Sequence, residues 1–176
     1  MDASRPVTLH TARLRLVPCS PAVARAADSG GAAAVEALLR VHVDPSWPSP
    51  DLREVLLGHA EAIEADPALW CWGLWLVLDG RARNLVGDVG FKGPPDSTGT
   101  VEVGYGIVPP FRRRGLAVEA VRALIEWSDI QPGVEMIAAR CFASNAGSIG
   151  VLEHLGFRRC GGDEAILEWE LLRPFP

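Results

Sequence analysis

Val101-Glu-Val-Gly-Tyr-Gly-Ile-Val-Pro-Pro-Phe-Arg-Arg-Arg-Gly-Leu-Ala117 is the stretch of this 176-residue sequence whose reading decides the fold. Thr100 to Val108 reads as a strand, and Pro109-Pro110 stops it. Past the arginines, Ala117, Val121, Leu124 and Ile125 recur at intervals of three and four, which predicts a helix from about Gly115 to Asp129. A strand therefore runs into a basic loop that opens a helix. The first turn of a helix has unpaired N–H groups and the positive end of the dipole, so an anion such as a phosphate suits that place. Gly115 lets the backbone approach such a ligand closely, and the small Ala117 lets the helix sit near its strand. The fingerprint G-x-G-x-x-G and the P-loop G-x-x-x-x-G-K-[ST] are both missing.

Upstream, Thr11 to Val17 alternates, with Leu14 and Leu16 on one face and Arg13 and Arg15 on the other, as in a half-solvated strand. Ser20-Pro21 signals a helix start, and two short helices are expected, broken near Ser29-Gly30-Gly31. Ser49-Pro50 repeats the signal for a helix that Asp66-Pro67 ends. Trp70 to Leu78 is expected as a nearly all-apolar strand, turned by Asp79-Gly80 into a second one from Leu85 to Lys92. Downstream, Gln131-Pro132-Gly133 breaks the helix. A strand from Val134 to Phe142, a helix from about Asn145 to Leu155, a strand begun by Phe157 and a last strand from Ala165 to Leu172 follow. This order predicts a mixed α/β or α+β sheet in one domain over residues 1–176.

The net charge of −5 argues against a nucleic-acid partner, because such proteins present a basic surface. Cys19, Cys71, Cys141 and Cys160 show no C-x-x-C spacing, so no metal is expected. The start lacks a basic region followed by an apolar run, and no apolar stretch approaches the ~20 residues of a membrane helix. The expectation is a cytoplasmic protein with reduced thiols in its core.

Arg112-Arg113-Arg114-Gly115-Leu116-Ala117 fits [QR]-x-x-G-x-[GA] and, with the strand before it, resembles motif A of the GNAT superfamily of N-acetyltransferases. Asn145-Ala-Gly-Ser148, continued to Leu155-Gly156-Phe157, is similar to motif B in the form of the RimJ/RimL-like branch. Thr11-Ala-Arg-Leu-Arg-Leu16 resembles that branch's first strand. The resemblance implies a largely antiparallel mixed sheet flanked by helices and splayed at the motif A strand. It implies acetyl-CoA as cosubstrate with no metal, and acetyl transfer to a primary amine, either a protein N-terminus or a small molecule. Gly106, Ile107 and Val108 would offer backbone groups to the pantetheine arm and thioester. Arg112, Arg113, Arg114, Gly115, Leu116 and Ala117 would hold the pyrophosphate. Asn145 and Ser148 would lie beside the pantetheine.

For catalysis the resemblance puts Glu102 forward as a base acting through water, against the alternative of a glutamate satisfied on the sheet surface. Leu152 stands where many relatives carry a proton-donating tyrosine, and Ser148 is the substitute. Trp47 lies in the region where this superfamily builds the acceptor pocket. A module that binds acetyl-CoA without turnover is the alternative reading, and monomer and homodimer are both compatible. Tyr105 is expected to pack in the sheet; Trp70, Trp72 and Trp75 to form core and pocket wall. His10, His42, His59 and His154 are expected to be structural or exposed.

Overall fold

The apolar run around Trp75 has no polar face because its strand lies inside the sheet with helices on both sides. In the computed structural model, which describes residues 7–80 and 83–174, Trp75 and Val77 face one core cluster while Leu74, Leu76 and Leu78 face another. The ends and residues 81–82 of the expected 1–176 domain lie outside the described residues.

The elements, in chain order, are β1 (Leu9–His10), β2 (Leu14–Pro18), α1 (Pro21–Leu39), β3 (His42–Val43) and α2 (Pro50–Ala65). Then come β4 (Leu74–Asp79), β5 (Asn84–Phe91), β6 (Thr100–Ile107), α3 (Leu116–Asp129) and β7 (Met136–Phe142). The chain closes with α4 (Ala146–His154), β8 (Arg158–Gly162) and β9 (Ile166–Leu172). The sheet runs β1-β2-β4-β5-β6-β7-β9-β8, with β3 beside the start of β5. All neighbours are antiparallel except β6 with β7 and β3 with β5.

The amphipathic α3 buries Leu116, Ala120, Val121 and Leu124 against one face, in a core closed by Trp72, Trp75, Phe91 and Trp127. Trp72 and Trp127 meet edge-on with centroids 4.9 Å apart. On the other face α1 and α2 pack Val23, Ala27, Leu56 and Ala60 over Leu76 and Leu85. No helix among the described residues is long and apolar enough to cross a membrane.

Several boundaries differ from the sequence reading. Residues Pro67–Trp72 form a 3-10 turn, so the strand starts at Leu74 rather than Trp70. Asp66 starts that turn by accepting the Ala68 N–H at 3.0 Å, and local capping overrides the apolar run. The two helices expected around Ser29-Gly30-Gly31 form one element kinked at Gly31 (φ 60°, ψ −150°). The two-residue strands β1 and β3 are too short to show periodicity, and His42 lies in β3, exposed. Cys160 is exposed as well, because β8 is an edge strand.

Candidate active site

β6 and β7 pair from Thr100 and Met136 only as far as Val103 and Ala139. Beyond that point β6 stays with β5 as far as Ile107, and β7 stays with β9 as far as Phe142. From Gly104 onward the two parallel strands therefore part, and α4 stands over the gap. Tyr105 ties the two sides together by donating its hydroxyl to the Ser148 carbonyl at 3.2 Å. Burial pushes the phenol up to about 12, which keeps the proton on this donor. A cavity of about 460 Å³ opens here, reaching from Gly106 and Ile107 through the loop after β6 to Ala117 and Val118.

The loop is built to leave backbone donors free. Gly115 caps α3 with φ 74°, a left-handed conformation that glycine adopts at no steric cost, and no side chain caps the helix. The first bond of α3 runs from the Glu119 N–H to the Gly115 carbonyl at 3.1 Å, so the N–H groups of Leu116, Ala117 and Val118 have no partner within the helix.

The three arginines divide the work. Arg112 donates Nε to the Ile107 carbonyl at 2.7 Å. Arg114 folds back onto the Pro110 carbonyl at 2.9 Å, with its guanidinium 5.3 Å from the centre of the Phe111 ring. Arg113 alone has no side-chain partner among the described residues, and it lines the cavity with Arg112. Arg114 does not line it and acts on the loop's shape.

A second support was invisible in the sequence. Arg13 donates Nη1 to the Arg114 carbonyl at 2.8 Å and Nε to Glu119 of α3 at 2.6 Å. Glu119 also accepts the Arg13 N–H at 2.9 Å and the Thr11 hydroxyl at 2.5 Å. Burial opposes the charge on Glu119, yet these bonds outweigh it and hold the carboxyl below its usual range. The Thr11–Arg13 segment thus clamps the loop after β6 and the start of α3 to the turn between β1 and β2.

Asn145 and Ser148 both line the cavity. The Asn145 side-chain oxygen caps α4 by accepting the Ser148 N–H at 3.0 Å. The Ser148 hydroxyl lies beside the Tyr105 hydroxyl, and hydrogen bonding between the two side chains partly offsets the effect of burial on the phenol. Leu152 is buried in the core. Glu102 sits on the paired half of β6, ion-paired with Lys92 across the strand and outside the cavity wall.

Trp47 is buried rather than an open pocket wall, at 2% exposure. Its indole N–H donates to Asp88 at 2.9 Å. Asp88 lies on β5 directly opposite Gly106. Burial pushes its carboxyl up to about 7, against the opposing effect of the Trp47 bond. The sequence reading passed over Asp88; the signal available was a lone charge in the stretch Leu85-Val-Gly-Asp-Val-Gly-Phe91.

Residues 13–158 match the family described as acetyltransferase (GNAT) domain. The chain belongs to the GNAT acetyltransferase family. This GNAT chain is 32% identical over 151 residues to the Bacillus subtilis (strain 168) protein named uncharacterized N-acetyltransferase YjdG, spanning 86% of this chain and 89% of that one. It superposes on a GNAT-family acetyltransferase from Bacillus anthracis with TM-score 0.64 at 18% identity, covering 94% and 98% of the two chains. A ribosomal-protein-S5-alanine acetyltransferase from Vibrio fischeri gives TM-score 0.68 at 16% identity, covering 96% and 97%. These solved structures share the GNAT fold expected from the sequence, and family membership makes the chain an acetyltransferase. GNAT acetyltransferases use acetyl-CoA.

Proposed function

We propose that this chain transfers acetyl from acetyl-CoA to a primary amine, either a protein N-terminus or a small molecule, by direct attack in a ternary complex. The observation that carries the reading is the parting of β6 from β7 after Val103, which leads into a cavity ending at the uncapped start of α3. The free N–H groups of Leu116, Ala117 and Val118, with Arg113 beside them, suit a pyrophosphate. The backbone at Gly106 and Ile107 and the groups at Asn145 and Ser148 line the cavity and suit an extended polar arm. Val108, also expected there, is buried, with its N–H donated to the Val86 carbonyl and its carbonyl accepting the Phe111 N–H. Arg112 and Arg114 hold the loop in the shape this requires. The donor supplies an activated acetyl thioester; the chain supplies its placement.

Direct transfer needs an uncharged amine and a proton for the departing thiolate. Ser148 would supply the latter, its hydroxyl lying on the cavity wall in the first turn of α4 beside the Tyr105 hydroxyl. The two solved structures share a fold with this chain, and the fold alone does not select among amines.

Release of free CoA thiol from acetyl-CoA in the presence of short alanyl and seryl peptides or small alkylamines tests the reading. Tight acetyl-CoA binding with no thiol from any amine would leave only a binding module. Ser148→Ala is expected to lower kcat by at least ~10-fold, a larger loss than any in acetyl-CoA affinity, as loss of a general acid does. An unaltered kcat would remove that role.

A further inference from the structure

We propose that Asp88 is the catalytic base of this chain: its carboxylate, aimed by the Trp47 indole over the Gly106 backbone where β6 leaves β7, takes a proton from the acceptor's ammonium group. The inference rests on the acetyl-transfer reading and deepens it.

Register and contact place the group. Asp88 pairs with Leu76 on one side and Gly106 on the other, so all three share a face of the sheet. That face is the one packed by α1 and α2, opposite the face packed by α3. Gly106 has no side chain, and the carboxylate lies directly over it: a Cβ built there would be in ordinary van der Waals contact, 3.5 Å from one Asp88 oxygen and 3.6 Å from the other. Gly106 also lines the cavity proposed for the donor. The neighbouring Gly104 is exposed, and a Cβ there would meet nothing within 4 Å. An amine crossing that open floor toward the gap meets Asp88 on one side and the thioester on the other.

The surroundings leave the carboxylate without a competing cation. No lysine or arginine among the described residues pairs with it. β4 offers Leu76, β6 offers Gly106, and the segment before α2 offers the Trp47 indole. The end of β2 offers Cys19, whose thiol is pushed up to about 12 by burial first and by the Asp88 charge second. His59 of α2 contacts the Cys19 carbonyl at 3.0 Å, and burial holds its pKa below the usual range. The hydrogen-bond partner of the Asp88 carboxylate among the described residues is thus a neutral donor, and enclosure keeps its affinity for a proton high.

The step balances. The ammonium gives one proton to the Asp88 carboxylate, and the freed lone pair attacks the thioester carbonyl carbon. The C–N bond forms and the C–S bond breaks. The second amine proton follows the electron pair to sulfur, directly or through Ser148, giving free thiol, and Asp88 returns its proton to solvent. Glu102 shares the Asp88 face but is spoken for by Lys92. Trp47 acts as a positioning residue, donating to the charged form of the carboxylate.

The test uses the full chain with acetyl-CoA and the amine panel, reading donor affinity by calorimetry and thiol release across pH. For the native chain, kcat/KM is expected to rise with pH and level above about 7, because the deprotonated carboxylate is the active form. Asp88→Asn is nearly isosteric and keeps an acceptor for Trp47. It is expected to lower kcat by ~100-fold or more while donor affinity stays within about twofold. Its residual rate should keep climbing with pH as free amine accumulates. Trp47→Phe removes a donor that favours the ionised carboxylate, so the midpoint should move upward. Native turnover and an unchanged pH profile in Asp88→Asn would overturn the proposal. So would a loss of donor affinity matching the loss of rate, or a Glu102→Gln variant that flattens the profile in its place. A native chain that binds no acetyl-CoA overturns the acetyl-transfer reading and this proposal together, whereas a native chain that acetylates no better than Asp88→Asn overturns this proposal alone.

Discussion

Ala117→Asp is expected to remove acetyl-CoA binding while leaving the fold as stable as before, or slightly more so. Ala117 is the second residue of α3 and lines the cavity. An acidic residue in the first turn of a helix is favourable, because it faces the free N–H groups and the positive end of the dipole. Those donors are the ones proposed to hold the pyrophosphate. The new carboxylate would occupy their coordination and oppose the incoming anion. Two like unit charges ~5 Å apart in an effective dielectric of ~20 repel by about 3 kcal/mol. That corresponds to a loss of about a hundredfold in affinity. Ala117→Asn supplies the control, having similar bulk and capping ability without charge, and should lose far less. Calorimetry with acetyl-CoA, alongside thermal melts of both variants, checks the prediction. If Ala117→Asp binds the donor as the native chain does, the pyrophosphate is not held at this helix start.

The strand, loop and helix from Val101 to Asp129 were legible because each carries its own local signal. Alternation, a double proline and a regular apolar stripe do not depend on distant residues. The fold followed from them, and the parting of β6 from β7 appears where the family resemblance put it. Trp70 to Gly73 was misread because hydrophobicity alone does not separate a buried strand from a buried turn. Asp66 and Pro67 carried the turn signal, and it extended further than a helix-stop reading allowed.

The site was less legible than the fold because its parts meet only through register. Arg13 and Glu119 are 106 residues apart in sequence, and nothing in either neighbourhood announces their bond. Asp88 faces Gly106 only because β5 and β6 pair at those positions. Trp47 was singled out for its place in a loop, yet its ring is buried and what it offers the site is one N–H bond. Glu102 was singled out from a family habit, and the structure pairs it with Lys92. Side chains that act from the sheet interior are hidden in sequence by the apolar residues around them.

Gly87→Ala is the second substitution with a large expected effect, and it acts through the backbone on the same region. A Cβ at Gly87 would lie 2.1 Å from the Gly106 carbonyl oxygen and 3.0 Å from the Ile107 Cα. Both are main-chain atoms of the neighbouring strand, so no rotamer change relieves the contact. β5 and β6 must separate where Asp88 meets Gly106 and where β6 leaves β7. Overpacking of this kind costs about 3 kcal/mol. In a chain of this size that lowers Tm by roughly 6–12 °C. Gly58→Ala gives the opposite sign: Gly58 is exposed on α2, a Cβ there meets nothing within 4 Å, and alanine should add up to ~1 kcal/mol of helix stability. The two variants make the same chemical change, and only the strand glycine touches backbone. Acetyl transfer should fall in Gly87→Ala even at temperatures where the variant is fully folded, since the displaced Gly106 lines the cavity proposed for the donor and lies beneath Asp88. A variant with native Tm and native rate would mean that β5 and β6 tolerate a wider spacing. The close approach at Gly87 would then be irrelevant to how the site is held.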